Sequence, residues 1–139
     1  MIRAATIEDH RELVKLARSS IYTKDFSNAM LFSSPEAYAK GWIRVLEEPG
    51  SEIAGMTCRR DKVREPLTEL YFIVVHPTAR SLGIGEQLLK DLFYVSPHSK
   101  VGLNVMKENT GAVRFYTRHG LKIVGVGLGG KAWRMEGQR

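Results

Sequence analysis

The sequence predicts an α/β domain, a mixed sheet with helices on both faces. Three observations carry that prediction. Short apolar runs at 2–5, 52–59, 67–75 and 101–106 alternate with segments whose apolar residues recur at helical spacing. The run from Leu67 to Val75 is almost continuously apolar, as in a strand buried on both faces. A glycine-bearing loop follows it directly and opens a helix. At 139 residues the chain has the length of one domain, expected to span 1–139.

The elements follow in order. Residues 2–5 form a first strand. Thr6 stands as a helix N-cap, with Asp9 three positions on in the place of a capping-box partner. Leu13, Val14, Leu16 and Ala17 then mark the apolar face of a helix over about 7–20. Residues 21–33 are irregular, a loop with a helical turn on the substrate side. Ser34-Pro35 opens another helix, with proline in its first turn. Residues 42–47 are ambiguous. Tyr38, Trp42, Val45 and Leu46 fit a helical face, whereas Ile43, Val45 and the turn 48–51 fit a strand entering a hairpin. The reading favours a short helix followed by a strand. A strand over 52–59, a charged turn at 61–66 and the long strand at 67–75 come next. Ile84, Leu88, Leu89 and Leu92 form one helical face, which Ser96-Pro97 ends. A strand at 101–106 and a helix at 109–119 follow, the helix closed by Gly120. Residues 121–126 and 131–136 pair around Gly127–Gly130 as a closing hairpin.

Composition excludes several classes. Apolar residues make up 43% and charged residues 26%, the balance of a globular chain. No run approaches the roughly 18 apolar residues that span a bilayer. The first residues turn acidic at Glu8 and Asp9, unlike an export signal, so the expected location is cytoplasmic with no membrane partner. One cysteine, Cys58, leaves no disulfide framework and no multi-cysteine metal site, and no metal is expected. In its strand Cys58 reads as packing, and His76 as a turn residue. The net charge of +6 is uneven: residues 1–95 carry 13 basic and 13 acidic side chains, residues 96–139 carry 8 and 2. A basic C-terminal third suits either an anionic partner or a solvated surface.

The most informative chemistry lies after the long strand, in His76-Pro77-Thr78-Ala79-Arg80-Ser81-Leu82-Gly83-Ile84-Gly85. The first amides of a helix lack internal partners and carry partial positive charge. Gly83 and Gly85 remove side chains that would keep an oxyanion away, and Arg80 adds a cation. The arrangement predicts a diphosphate held mainly by backbone. It is not the dinucleotide fingerprint, which needs three glycines, nor the P-loop, since Glu86 follows Gly85.

The segment from Val75 through Leu89, with Arg80, Gly83 and Gly85 as its key positions, resembles the acyl-coenzyme A site of the GCN5-related N-acetyltransferase (GNAT) family. A second stretch agrees: Leu103-Asn104-Val105 leads to Asn109, Ala112, Phe115-Tyr116 and Gly120-Leu121, with Leu121 where the family more often has Phe. The resemblance implies a mostly antiparallel sheet and the transfer of an acetyl group from acetyl-CoA to a primary amine, by direct attack in a ternary complex. It places the pyrophosphate on the amides of Ser81, Leu82, Gly83, Ile84 and Gly85 beside Arg80. It runs the pantetheine along Ile73, Val74 and Val75, with the Val75 amide on the thioester carbonyl. Tyr116 matches the general acid that protonates the departing thiolate, the alternative being a helix residue packed on the sheet. Asn109 matches a pantetheine contact, or caps its helix, or both. Glu69 resembles the catalytic glutamate of the histone-acetyltransferase branch. Six residues separate it from Val75, an even count that puts both on one face of a regular strand; the alternative is a carboxylate paired with Arg59, Arg60 or Arg64. Tyr71 falls on the same face. Trp133 and Arg134 line the acceptor side or serve packing and surface charge.

The acceptor expected is a small-molecule or peptide amine. Nucleic acid is not expected, because no Lys/Arg run clusters and six excess charges are partly accounted for by a triphosphorylated cofactor. Two rivals are a non-catalytic CoA sensor on the same fold and a nucleic-acid-associated modifier. The closing hairpin offers an edge for a homodimer.

Overall fold

A computed structural model describes residues 1–23, 34–50, 52–80 and 82–139. Ser81 and most of the expected substrate-side loop at 21–33 lie outside the described residues. Seven strands among them form one sheet: β1 (Ile2–Ala4), β2 (Ile43–Glu47), β3 (Ile53–Asp61), β4 (Leu67–Val75), β5 (Lys100–Met106), β6 (Lys122–Gly127) and β7 (Ala132–Gln138). Their order is β1-β2-β3-β4-β5-β7-β6. Only β4 and β5 run parallel; the other neighbours are antiparallel, so the sheet is mixed and mostly antiparallel as expected.

Helices α1 (His10–Ala17) and α2 (Pro35–Ala39) cover one face, where Leu13, Leu16, Ala17 and Ala37 pack on Ile43, Val45, Met56, Cys58, Phe72 and Val74. Helices α3 (Ile84–Val95) and α4 (Thr110–Arg118) cover the other. There Leu88 meets Leu46 and Ala54, while Leu89, Leu92 and Tyr116 meet Leu70, Val101, Leu103 and Met135. Burying these side chains is the main driving force for the fold. No helix is long and apolar enough to cross a membrane, among the described residues.

The first strand is tied down by charge. Arg3 donates to Asp9 at 2.8 and 3.1 Å and to Glu47 at 2.6 and 2.9 Å. Asp9 also accepts from the Thr6 amide at 2.8 Å, the return half of the expected capping box.

Two expectations are corrected. Residues 43–47 are strand throughout, with no helix ahead of them in 42–47. Helix α2 has ended at Ala39, and Gly41 takes φ +69, a left-handed conformation that favours glycine. Ile43 and Val45 then alternate into the α1 core, while Arg44 on the opposite face reaches Asp91 of α3 at 2.8 and 3.0 Å. A period of two, carried by β-branched residues, outweighs the helical spacing of Trp42, Val45 and Leu46.

The second correction concerns β4. Cys58 pairs with Phe72 and Arg59 with Leu70, so Tyr71 has no partner and forms a β-bulge. One inserted residue inverts the alternation. Glu69 therefore lies on the α1 face and Val75 on the α3 face, not together. Tyr71 packs toward the α1 core and stays on Glu69's side.

Candidate active site

Strands β4 and β5 pair only from Leu67 opposite Lys100 to Glu69 opposite Gly102. Beyond that point they diverge, and β5 stays with β7 along its whole length. The edge of β4 that faces the resulting wedge has no strand partner. The His76 amide donates to the Ala54 carbonyl at 2.7 Å, which sets the phase of the antiparallel ladder. By alternation the main-chain groups of Val74 and Phe72 turn to β3, and those of Ile73 and Val75 turn into the wedge. Two of the three expected pantetheine residues thus offer free peptide groups. Val74 does not: it pairs with Met56, and its side chain is buried against α1.

At the wide end of the wedge sits the loop before α3. Its turn is built by Pro77–Ala79, where the Ala79 amide donates to the His76 carbonyl and the His76 ring accepts from the Thr78 amide. His76 is a turn residue, as expected. Gly83 is the N-cap of α3 with φ +75 and no side-chain cap, and its carbonyl accepts from Gln87. The amides of Ile84, Gly85 and Glu86 are the first of the helix and have no intrahelical acceptor. Gly85 faces Phe115 and Val75, and a Cβ there would point at their side chains from 3.5 to 3.9 Å. Arg80 is exposed and makes no ion pair among the described residues. Glu86 would be an unfavourable charge beside an anion, but Lys90 bonds it at 3.0 Å. That bond, with the Lys90, His119 and Arg118 charges nearby, lowers its pKa.

A cavity of about 420 Å³ lies at the wedge, lined by residues from both faces of the sheet. On the α3 side Ile73, Asn109 and Tyr116 line it; on the α1 side Tyr71 and Asn104 do, with Leu128 from the β6–β7 loop. Three sequence-predicted residues therefore converge. Tyr116 is 7% exposed, and burial pushes its phenol pKa well above the ordinary value, so it is a protonated donor. Asn109 caps α4 by accepting from the Ala112 amide at 3.4 Å and also faces the cavity.

Glu69 is elsewhere. Its two oxygens accept from Arg134 at 2.7 and 2.8 Å, and it is not among the cavity's lining residues. The partner is none of the three arginines considered from sequence. Gly102 makes the pair possible, since a Cβ there would collide with the Arg134 guanidinium. Cys58 is fully buried, and burial raises its thiol pKa, the state of an inert packing residue. Among the described residues no group of three or more ligating side chains is placed to hold a metal.

Sequence reasoning assigned no role to Asn104 or Leu128. Asn104 stood in the second family-like stretch as an ordinary strand residue, and only its phase on β5 shows which face it takes. The signal for Leu128 was a single apolar residue set among Gly127, Gly129 and Gly130.

Known proteins match this architecture. The model of the acetyltransferase (GNAT) family matches residues 7–121. A 5-NmdU N-acetyltransferase of Pseudomonas phage PaMx11 is 47% identical over 131 residues, covering 94% of this chain and 93% of the phage protein. The PaiA N-acetyltransferase of Thermoplasma acidophilum in complex with coenzyme A superposes with a TM-score of 0.76 at 19% identity, covering 100% of this chain and 98% of that one. Naa20 of Chaetomium thermophilum in complex with a bisubstrate analogue gives 0.81 at 19% identity, over 99% and 86%. The latter two show a shared fold.

Proposed function

The chain belongs to the GNAT family of acetyltransferases, and from that premise we propose that it moves an acetyl group from acetyl-CoA to the amine of 5-NmdU. Its activity is that of an acetyl-CoA-dependent N-acetyltransferase. The observation that carries the acceptor is the 47% identity to the phage 5-NmdU enzyme across nearly the full length of both chains. Such an acceptor is an amine-bearing deoxyuridine, a modified nucleoside rather than a peptide.

The residues present fit the acetyl donor. The open amides at the start of α3, beside Arg80, suit a pyrophosphate, and the free peptide groups of Ile73 and Val75 suit the amide-bearing pantetheine arm. Acetyl-CoA supplies an activated thioester; the chain supplies position and protons. The wedge-facing amides of β4, Ile73 beside Tyr116 and Val75 beyond it, are the donors available to the thioester carbonyl, and such a donor stabilises negative charge as it develops there, an effect worth about 3 kcal/mol in comparable sites. The amine nitrogen forms a bond to the carbonyl carbon while the carbon–sulfur bond breaks. Tyr116 gives its phenolic proton to the departing sulfur, and the amine's surplus proton leaves on the α1 side. Glu69 takes that proton in this reading, reached through solvent because both of its oxygens already accept from Arg134.

The enzyme works as a single domain in the cytoplasm in this reading, and β6, an edge strand with exposed Ile123, Val124 and Val126, is the face on which two copies would pair. The test is direct. Purified protein is incubated with acetyl-CoA and 5-NmdU, with thiol release and product mass followed together. Acetylated 5-NmdU with stoichiometric free CoA is expected. Thiol release with other amines but none with 5-NmdU would remove the acceptor and leave the acetyltransferase standing.

A further inference from the structure

The acceptor half of the cavity carries features that acetyl-CoA binding does not use. Asn104 lies on β5 on the sheet face opposite Tyr116, exposed, and its side-chain amide meets no hydrogen-bond partner among the described residues. Three neighbouring polar side chains are already engaged. The Thr23 hydroxyl donates to the Ala17 carbonyl at 2.7 Å, the Ser20 hydroxyl accepts from the Tyr22 amide at 3.3 Å, and Asn109 caps α4. The chain also makes room for the Asn104 amide. A Cβ on Gly127 would fall 2.6 Å from its Oδ1.

Beside it stands Leu128, the one non-glycine residue with positive φ among the described residues, at +50. That conformation costs a branched side chain about 1 kcal/mol, and such strain gathers at ligand clamps. Gly129 and Gly130 follow with φ +66 and +87, so three consecutive residues of the β6–β7 turn have positive φ before Lys131 returns to φ -81. Leu128 is 58% exposed and lines the same cavity as Tyr71, the residue at the β4 bulge. An apolar wall, an aromatic ring and an open carboxamide together fit a planar polar ring better than a flexible chain.

We propose that Asn104, seated over Gly127, reads the ring imide of the acceptor base. Its Oδ1 accepts from the ring N3–H while its Nδ2 donates to an adjacent ring carbonyl, with Leu128 and Tyr71 enclosing the ring. A carboxamide carries a donor and an acceptor side by side, the complement of an imide edge. This assignment rests on the 5-NmdU reading of the acceptor and adds the residue that selects it.

The experiment compares 5-NmdU with its N3-methyl analogue as acceptors for the wild type, Asn104→Ala and Gly127→Ala, with acetyl-CoA affinity measured alongside to report folding. The wild type is expected to lose tenfold or more in kcat/KM on N3-methylation, mostly through KM. Asn104→Ala is expected to treat the two acceptors within about twofold. Gly127→Ala, which keeps Asn104 but displaces its amide, is expected to lose the same discrimination. A wild type that acetylates both equally well, or an Asn104→Ala variant that discriminates as the wild type does, overturns the assignment while the acceptor reading survives. A wild type that acetylates neither overturns both.

Discussion

The Arg134 guanidinium holds the Glu69 carboxylate with two hydrogen bonds, 2.7 and 2.8 Å long, across a space that exists because residue 102 has no side chain. Glu69 is 8% exposed, so little solvent would replace this partner. Arg134→Ala is expected to destabilise the fold by about 3 kcal/mol, because it leaves a buried carboxylate unpaired. Gly102→Ala should cost about as much as other overpacked core sites, about 2 kcal/mol. Denaturant unfolding of the two variants checks both values. Glu69→Gln tests chemistry apart from stability. If Glu69 takes the amine proton, the acid limb of kcat/KM against pH shifts or vanishes in the variant; an unchanged limb assigns the proton to solvent.

Tyr116 is expected to act as an acid far into the alkaline range. Burial raises its pKa above the ordinary value of about 10, so the phenol stays protonated where an exposed tyrosine has ionised. The rate should show no alkaline break near pH 10 from this group. The linked stability has the matching sign: it is intact below the unfolded pKa and is lost only as pH climbs through the raised folded value. Tyr116→Phe should lower kcat about a hundredfold and leave acetyl-CoA affinity within a factor of two, as read by steady-state kinetics and calorimetry.

Arg80 is the exposed cation at the anion loop. Arg80→Ala is expected to weaken CoA binding about tenfold at low salt and to flatten the salt dependence of Kd, because a screened charge contact is gone. Equal weakening at every ionic strength would mean that Arg80 acts through the loop's shape instead.

The Arg3–Asp9 pair sets an acid-stability signature. Arg3 holds the Asp9 pKa below its ordinary value, so the stability it contributes is present above about pH 4 and disappears as pH falls through the lowered folded value. Asp9→Asn should cost about 1 kcal/mol at pH 7, and the gap to the wild type should close in acid. Thermal unfolding between pH 2 and 7 measures it.

What was legible in the chain follows from what is local. The α3 helix and the glycine turn before it could be read because a glycine pair, apolar spacing and a breaking Ser-Pro are each visible in a few neighbouring residues. The Asn109 cap and the end of α4 at Gly120, with φ +92, were legible for the same reason. The β4 bulge was not. Tyr71 is an ordinary strand residue in sequence, and only the register of β3 against β4 shows that it is unpaired. Missing it put Glu69 on the wrong face. The Glu69–Arg134 pair was equally hidden, since it joins residues 65 positions apart through a glycine on a third strand. At 42–47 two periods competed, and the core packed on Ile43 and Val45 decided between them.

The central claim is that the wedge between β4 and β5 holds acetyl-CoA, with its pyrophosphate on the opening amides of α3. A crystal structure of the protein with CoA measures this most directly. The account expects pyrophosphate oxygens within hydrogen-bonding distance of the amides of Gly83 to Glu86, and the pantetheine bonded to the main chain of Ile73 and Val75. CoA bound elsewhere, with the wedge closed by β5 or filled by side chains, would contradict it.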